Sequence, residues 1–279
     1  MLSVNNNSGP IGVFDSGFGG LTVLKEIVKQ LPDYNYLYLG DNARAPYGTR
    51  SFDTVYHYTL QCVNWFFNQG CSLVILACNT ASAKALRTIQ QQDLPNIDST
   101  KRVLGVIRPT SEVIGNYTTT NCIGILATLG TVQSLSYPIE ISKFYPQIKV
   151  FQEACPMWVS LVENNEHNKS GADYFIQQHL QNLLIQNANI DTILLACTHY
   201  PLLIDKIKSY LPDTIAVLSQ GDIVATSLSN YLNKHTSLAS KCDKGGKIVF
   251  CTTDAVDDFN NKASIFYGSN VKAMHVNIG

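Results

Sequence analysis

Residues 73–82, LVILACNTAS, and residues 192–201, TILLACTHYP, end in the same way. Each is a short apolar run that stops at Ala-Cys and turns polar within one or two residues. Periodicity alone does not separate such a run from a buried helix, but its shortness and its branched residues favour a buried parallel strand. We therefore expect Cys78 and Cys197 at the carboxyl ends of two central strands, where open α/β sheets place their ligands.

The rest of the chain alternates predicted strands with predicted helices, which is typical of an α/β fold with mostly parallel sheets. Further strands are predicted at 11–14, 34–40, 103–107, 122–126, 148–151, 215–221, 247–254 and 271–276. Helices are predicted at 21–30, 52–68, 81–91, 171–187, 202–210 and 222–233. We expect a polar linker at 93–102, a polar loop at 233–247 and a disordered tail at 1–8.

A weak internal repeat relates the two halves of the chain. IGVFDSGFGG at 11–20 resembles IGILATLGTV at 123–132, and the two cysteine-ending runs follow in the same order at a similar offset. The repeat predicts two pseudosymmetric α/β domains, whose cysteines would lie on opposite walls of one interdomain cleft.

Composition excludes several classes of function. The net charge of −1 over 279 residues gives no basic field for nucleic acid. The apolar runs are of strand length, so we expect no membrane span. The N-terminus shows no secretory pattern, and we expect a cytoplasmic protein. The eight cysteines have no C-x-x-C spacing and no histidine cluster, so neither a zinc site nor disulfides are expected.

Of the two cysteines, Cys78 stands where a helix is expected to begin, and the helix dipole there favours a thiolate. Asn79, Thr80 and Thr198 follow them and offer donors for a carboxylate. One such cysteine would be interpreted as a buried structural residue. Two matching sites, each followed by small polar residues, favour a chemical role.

The turn Asp15-Ser16-Gly17-Phe18-Gly19-Gly20 follows the first predicted strand. It fits neither a dinucleotide fingerprint nor a phosphate-binding P-loop. Its glycine backbone N–H groups could bind a substrate carboxylate. Asp15 is either a helix N-cap or a base in the cleft.

Three further features carry polar groups near these motifs. The loop at 40–48, GDNARAPYG, is either an ordinary surface turn or a wrap around a small ligand. Glu163 is either on a solvated helix face or a partner for a buried cation. His199 stands two residues after Cys197 and could relay a proton.

These motifs, taken in order, resemble those of the cofactor-independent glutamate racemases, within the aspartate/glutamate racemase superfamily. The resemblance runs from residue 9 to about residue 254. It rests on DSGFGGLTV at 15–23, YLGDNARAPYG at 38–48, ACNTAS at 77–82, ACPMWVSLVE at 154–163 and ACTHYPL at 196–202.

The resemblance implies interconversion of L- and D-glutamate without cofactor or metal, supplying D-glutamate for peptidoglycan. Cys78 would take the α-proton of D-glutamate, assisted by Asp15, and Cys197 that of L-glutamate, assisted by His199. It also implies secondary acidic positions at Asp41 and Glu163. The implied substrate-binding residues are Ser16, Pro46, Tyr47, Gly48, Asn79, Thr80, Thr131 and Thr198. The implied domains are 9–100 plus 214–279 and 101–213, and a homodimer is frequent among such proteins.

Two alternatives stay open. One is a racemase of aspartate or another amino acid, although aspartate racemases usually place an acid where His199 stands. The other is a non-catalytic amino-acid-binding α/β protein, which the presence of both cysteines and both assisting residues disfavours. Ser219-Gln220-Gly221 departs from the family, in which an Asp-Ser pair is common, but matches no catalytic position.

Overall fold

The computed structural model describes residues 8–278 and contains two parallel β-sheets flanked by helices. The predicted tail lies outside the described residues except for Ser8. The strands are β1 Ile11–Asp15, β2 Tyr36–Gly40, β3 Leu73–Leu76, β4 Arg102–Gly105, β5 Cys122–Ala127, β6 Lys149–Ala154, β7 Thr192–Ala196, β8 Ala216–Leu218, β9 Ile248–Thr252 and β10 Ala273–His275.

Helices occupy most of the connections between these strands. The α-helices are α1 Leu21–Gln30, α2 Phe52–Asn68, α3 Asn79–Lys84, α4 Leu86–Thr88, α5 Leu94–Ile97, α6 Ile107–Val113, α7 Leu129–Gln133, α8 Ser136–Phe144, α9 Trp158–Glu163, α10 Ser170–Gln186, α11 Ile204–Ser209, α12 Gly221–Lys234, α13 Thr236–Ala239 and α14 Val256–Tyr267. Short 3₁₀ segments lie at Asn42–Arg44, Ile114–Tyr117 and Tyr200–Leu203, and a π segment lies at Ile89–Asp93.

The first sheet has six parallel strands in the order β10-β9-β2-β1-β3-β4. Three of its four inner strands, β2, β1 and β3, are buried along their whole length. Burial on both faces explains why they read in the sequence as continuous apolar runs and not as alternating ones.

The second sheet has four parallel strands in the order β6-β5-β7-β8. Strand β7 lies beside β5 as β3 lies beside β1, so the repeated sequence segments occupy corresponding places in the two sheets. The prediction that both cysteine-ending runs are buried parallel strands of an α/β fold is confirmed.

The strand pairing differs from the predicted domain limits at two points. Arg102–Gly105, placed in the second domain by the limit at 101, pairs with β3 of the six-stranded sheet. Ala216–Leu218, placed in the first domain by the limit at 214, pairs with β7 of the four-stranded sheet. Both strands are short and lie at sheet edges, where apolar patterning carries little information about partners.

Several local predictions were wrong. The predicted linker at 93–102 contains α5, and the predicted polar loop at 233–247 contains α13. The helix predicted at 81–91 begins earlier, at Asn79, and is interrupted before its π segment. Helices α6, α7, α8 and α14 were not predicted, and α9 was considered only as the helix face that would carry Glu163. Within residues 8–278, no helix combines the length and apolar character needed to cross a membrane.

Candidate active site

Cys78 and Cys197 line the same cleft, each arriving from a different sheet. Cys78 follows β3 at the start of α3, and Cys197 follows β7 directly. Both thiols are nearly buried, with exposed fractions of 5% and 6%. All eight cysteines lie in the described range and are free, and only these two line the cleft.

The Cys78 thiol is held at the N-terminus of α3. Its Sγ accepts a hydrogen bond from the backbone N–H of Ala81 at 3.5 Å and donates one to Ser16 Oγ at 3.5 Å. Burial, together with the charge of Asp15, raises the pKa of Cys78 to about 12. The free protein therefore holds Cys78 as a thiol at neutral pH, ready to give a proton.

Cys197 lies beside a charged relay. His199 Nδ1 is 4.0 Å from Cys197 Sγ, and its Nε2 is 2.8 Å from Glu163 Oε1. Burial alone would lower the pKa of His199, but its hydrogen bonds with Cys197 and Glu163 outweigh burial and raise it to about 10. The imidazole is thus protonated at neutral pH. The structure identifies Glu163 as the partner of a buried cation, the second of its two predicted roles.

Asp15 lies behind the cleft and is fully buried. Its carboxylate accepts hydrogen bonds from the Gly17 N–H at 3.0 Å and from Thr198 Oγ1 at 3.3 Å. The predicted N-cap role is wrong, because α1 begins after Gly20 without a side-chain cap. Burial raises the pKa of Asp15, against the opposing effect of the His199 charge. The negative charge of Asp15 contributes to the raised pKa of Cys78. Its hydrogen bond from Thr198 connects it to the residue that follows Cys197.

The glycine turn packs against the Cys197 side of the cleft. A Cβ on Gly19 would lie 2.2 Å from Thr198 Oγ1 and 2.5 Å from His199 Nδ1, so only glycine fits there. Among the residues of this turn, only Ser16 lines the cleft. The prediction that the backbone N–H groups of Gly17–Gly20 face a substrate is therefore not supported. At Gly19 the missing side chain instead allows the turn to pack closely against Thr198 and His199.

Most predicted substrate-binding residues line the cleft. The lining residues among them are Ser16, Pro46, Tyr47, Gly48, Asn79, Thr80 and Thr198, together with Glu163 and His199. The loop at 40–48 thus wraps the cleft through its second half, and the alternative of an ordinary surface turn is wrong.

Two predicted residues lie one layer behind the lining. Thr131 is fully buried, and its hydroxyl lies 3.1 Å from that of Thr128 and 3.5 Å from that of Thr80. Asp41 is fully buried and accepts hydrogen bonds from Arg44 and from the Tyr47 hydroxyl. Neither residue lines the cleft. Their side chains instead form hydrogen bonds with Thr80, Thr128 and Tyr47, which do line it.

Sequence reasoning missed part of the lining. The missed residues are Ala45, Thr49, Thr128, Leu129, Pro156, Val159 and Ser160. A signal for Thr128 was present, because it follows β5 as Ser16 follows β1 in the internal repeat. Among the described residues, no group of three or more His, Cys, Asp or Glu side chains is arranged to hold a metal ion.

Comparisons with known proteins agree with this geometry. Residues 11–228 match the family model of Asp/Glu/hydantoin racemases. The chain is 37% identical over 271 residues to the glutamate racemase of Listeria monocytogenes serotype 4a, covering 96% of this chain and 98% of that protein.

Two solved structures extend the similarity to the whole fold. A glutamate racemase isoform from Bacillus anthracis superposes with a TM-score of 0.87 at 32% identity, covering 98% of each chain. The Francisella tularensis glutamate racemase, solved in complex with D-glutamate, gives 0.86 at 29% identity, again over 98% of each chain. The paired cysteines, the two parallel sheets and these similarities lead to one conclusion: the chain belongs to the Asp/Glu/hydantoin racemase family and is an amino-acid racemase.

Proposed function

We propose that this protein interconverts L- and D-glutamate by moving the α-proton between Cys197 and Cys78. One observation supports this proposal above all. Two nearly buried thiols, which follow two different parallel strands, line one cleft. Racemisation needs a base on one face of Cα and an acid on the other. The identity of the substrate is supported by relatives named glutamate racemases and by a neighbour solved with D-glutamate.

In the direction from L to D, Cys197 acts as the base. Its thiolate takes the α-proton of L-glutamate and becomes a thiol, while the C–H electron pair stays on Cα. Cys78 gives its proton to the opposite face of Cα and becomes a thiolate, which completes D-glutamate. The reverse reaction exchanges the two roles, and the thiols return to their starting protonation through solvent or their polar neighbours.

The charges around the two sulfurs fit this division of roles. The protonated His199, 4.0 Å from Cys197, stabilises negative charge on that sulfur. Burial and the negative field of Asp15 keep Cys78 protonated. Cys78 is therefore held ready to act as the acid, and His199 supplies a positive charge beside Cys197, the proposed base.

The α-proton of an amino acid is weakly acidic, so the cleft must stabilise a carbanion-like transition state. The hydroxyls of Ser16, Thr80 and Thr198 and the amide of Asn79 line the cleft beside the two sulfurs. We assign them to the carboxylates and ammonium group of glutamate. Because these donors are held in place before binding, they need no reorganisation during the reaction.

The two sheets provide the walls, and we propose that they mark two domains that meet at the cleft. Strand pairing supports limits near residues 105 and 219, with the first domain formed by both ends of the chain. In this proposal the enzyme supplies D-glutamate for peptidoglycan synthesis.

The experiment that tests the function is incubation of purified protein with L-glutamate, without added cofactor, followed by chiral analysis. L-Aspartate and L-alanine are run in parallel. Conversion of glutamate in preference to the other two supports the proposal. Preference for aspartate would assign a different substrate to the same pair of thiols, and no turnover of any of them would overturn the proposal.

A further inference from the structure

We propose that Gln220 is a positioning residue that fixes the side-chain amide of Asn79 in the cleft; this inference rests on the proposed function. Asn79 lines the cleft directly after Cys78, while Gln220 lies 141 positions later, just before α12. Both side chains are almost completely buried, with 3% and 4% exposed.

Three side chains form a closed ring of hydrogen bonds. Asn79 Nδ2 donates to Gln220 Oε1 at 2.8 Å, and the Tyr137 hydroxyl donates to Asn79 Oδ1 at 2.5 Å. Gln220 Nε2 donates to the Tyr137 hydroxyl at 2.7 Å, which closes the ring. Tyr137 lies on α8, so the ring joins elements that follow strands of both sheets.

The direction of every bond in the ring is determined by one backbone carbonyl. Val106 O can only accept, and Thr110 Oγ1 donates to it at 2.9 Å. The Thr110 hydroxyl must then accept from Gln220 Nε2, which lies 2.8 Å away. This orients the Gln220 amide, so its oxygen faces Asn79.

The same logic continues to Asn79. Because Gln220 presents its oxygen, Asn79 must present its nitrogen to it, and its own oxygen faces the Tyr137 hydroxyl. The Tyr137 hydroxyl accepts from Gln220 and so has its proton free for Asn79. The Asn79 amide therefore has one orientation, and one of its N–H groups and one of its oxygen lone pairs are not used by the ring.

The fixed orientation of the Asn79 amide matters because Asn79 directly follows Cys78, the proposed proton donor. If Asn79 were free to flip, it would present either a donor or an acceptor to a substrate carboxylate, and only the donor stabilises it. Gln220 removes that choice without touching the substrate. We therefore expect Gln220 to act on turnover only through Asn79.

The test compares the variants Gln220→Leu and Tyr137→Phe with Tyr36→Phe. Tyr36 is a matched control, because it is also fully buried and its hydroxyl donates one hydrogen bond, to Leu31 O at 2.7 Å, outside the cleft. We expect kcat/KM for glutamate to fall by about tenfold to a hundredfold in Gln220→Leu and several-fold in Tyr137→Phe. Tyr36→Phe should lose stability in urea but keep kcat/KM.

A second measurement separates positioning from general destabilisation. Gln220→Leu is also made in an Asn79→Ala background and its residual turnover measured over long incubations. If Gln220 acts through Asn79, the Gln220→Leu substitution should lower the residual kcat/KM of Asn79→Ala by less than about twofold. If the two residues act independently, the losses in kcat/KM from the two substitutions would multiply.

Equal kcat/KM in wild type, Gln220→Leu and Tyr137→Phe would overturn the inference while leaving the proposed function intact. Full multiplication of the two losses would also overturn it. If Gln220→Leu does not fold, Tyr137→Phe alone decides. A wild-type protein that turns over no glutamate would instead contradict the proposed function.

Discussion

His199 is held between an acid and a thiol: its Nε2 lies 2.8 Å from Glu163 Oε1, and its other ring nitrogen faces Cys197. Glu163 is partly exposed at the cleft, with 23% of its side chain accessible, whereas the His199 side chain is 5% exposed. The acid therefore orients a buried imidazole and, together with Cys197, raises its pKa. Among the described residues that line the cleft there is no Lys or Arg, so His199 gives the Cys197 thiol a neighbouring positive charge.

Glu163→Gln should slow racemisation. The amide keeps the size of the side chain but no longer stabilises a protonated His199, so Cys197 loses its neighbouring positive charge. We expect kcat/KM to fall by about a hundredfold. The loss must be equal for L- and D-glutamate, because the equilibrium constant between the enantiomers is one. Steady-state assays from both enantiomers check this, and an unchanged kcat/KM would contradict the assigned role of Glu163.

The same substitution should change how stability depends on pH. The pKa of His199 is raised from 6.5 to about 10 in the folded protein. Its contribution to stability is therefore fully present below 6.5 and is lost as the pH rises through 10. Urea unfolding of wild type and Glu163→Gln across this range measures it. The stability difference should be largest at the acid end and shrink toward pH 10; a constant difference would argue against a charged His199.

Cys78→Ser and Cys197→Ser should each abolish turnover while retaining the fold. A serine hydroxyl is of similar size but far less acidic, so it neither gives nor takes the α-proton at a useful rate. We expect losses of about a thousandfold or more in either variant. Cys251→Ser is the control, since Cys251 is equally buried but lies in β9 away from the cleft. Normal activity in either cleft variant would exclude the two-thiol mechanism.

Asp15→Asn should shift the pH profile of the reaction. The negative charge of Asp15 is the second cause, after burial, of the raised pKa of Cys78. Removing it lowers that pKa, so Cys78 loses its proton at a lower pH. The alkaline limb of the kcat/KM profile should then move toward neutral pH. A limb that stays in place, or moves to higher pH, would show that Asp15 does not act on Cys78 by charge.

Asp41→Asn should loosen the loop that wraps the cleft. Besides Arg44 and Tyr47, the buried carboxylate accepts from Thr253 Oγ1 at 2.9 Å. Loss of these charge-assisted bonds should cost about 1.5–3 kcal/mol of stability. Because Tyr47 lines the cleft, KM for glutamate should rise more than kcat falls. Urea unfolding and steady-state kinetics test both, and an unchanged KM would show that the loop is held by other contacts.

The sequence predicts an element correctly when a local pattern of residue types determines its structure. Apart from Thr192 at the start of β7, strands β3 and β7 are apolar because both of their faces are buried, and this pattern also located Cys78 and Cys197. By contrast, α8 and α14 have exposed apolar residues such as Ile139 and Ile265, which blur their helical period. Short edge strands such as β8 carry too few residues to indicate their sheet.

The supporting layer of the site could not be predicted from local sequence. Gln220 contacts the cleft lining through Asn79, and Asp15 contacts it through Thr198, which lies 183 positions later. Such pairs exist only after two distant segments pack together. The family resemblance assigns Asp15, Asp41 and Thr131 to the site, and the structure shows that all three are buried behind the cleft lining.

The most direct test of the two-thiol account is racemisation of L-glutamate in D₂O at the earliest measurable conversion. Two separate bases predict that the D-glutamate formed carries solvent deuterium at Cα, because Cys78 delivers a proton that has exchanged with solvent. The remaining L-glutamate should still be protonated, since its α-proton leaves only on the path to product. Deuterium in the recovered L-glutamate at the same rate, or protium retained in the D-glutamate, would show that one base serves both faces and would contradict the account.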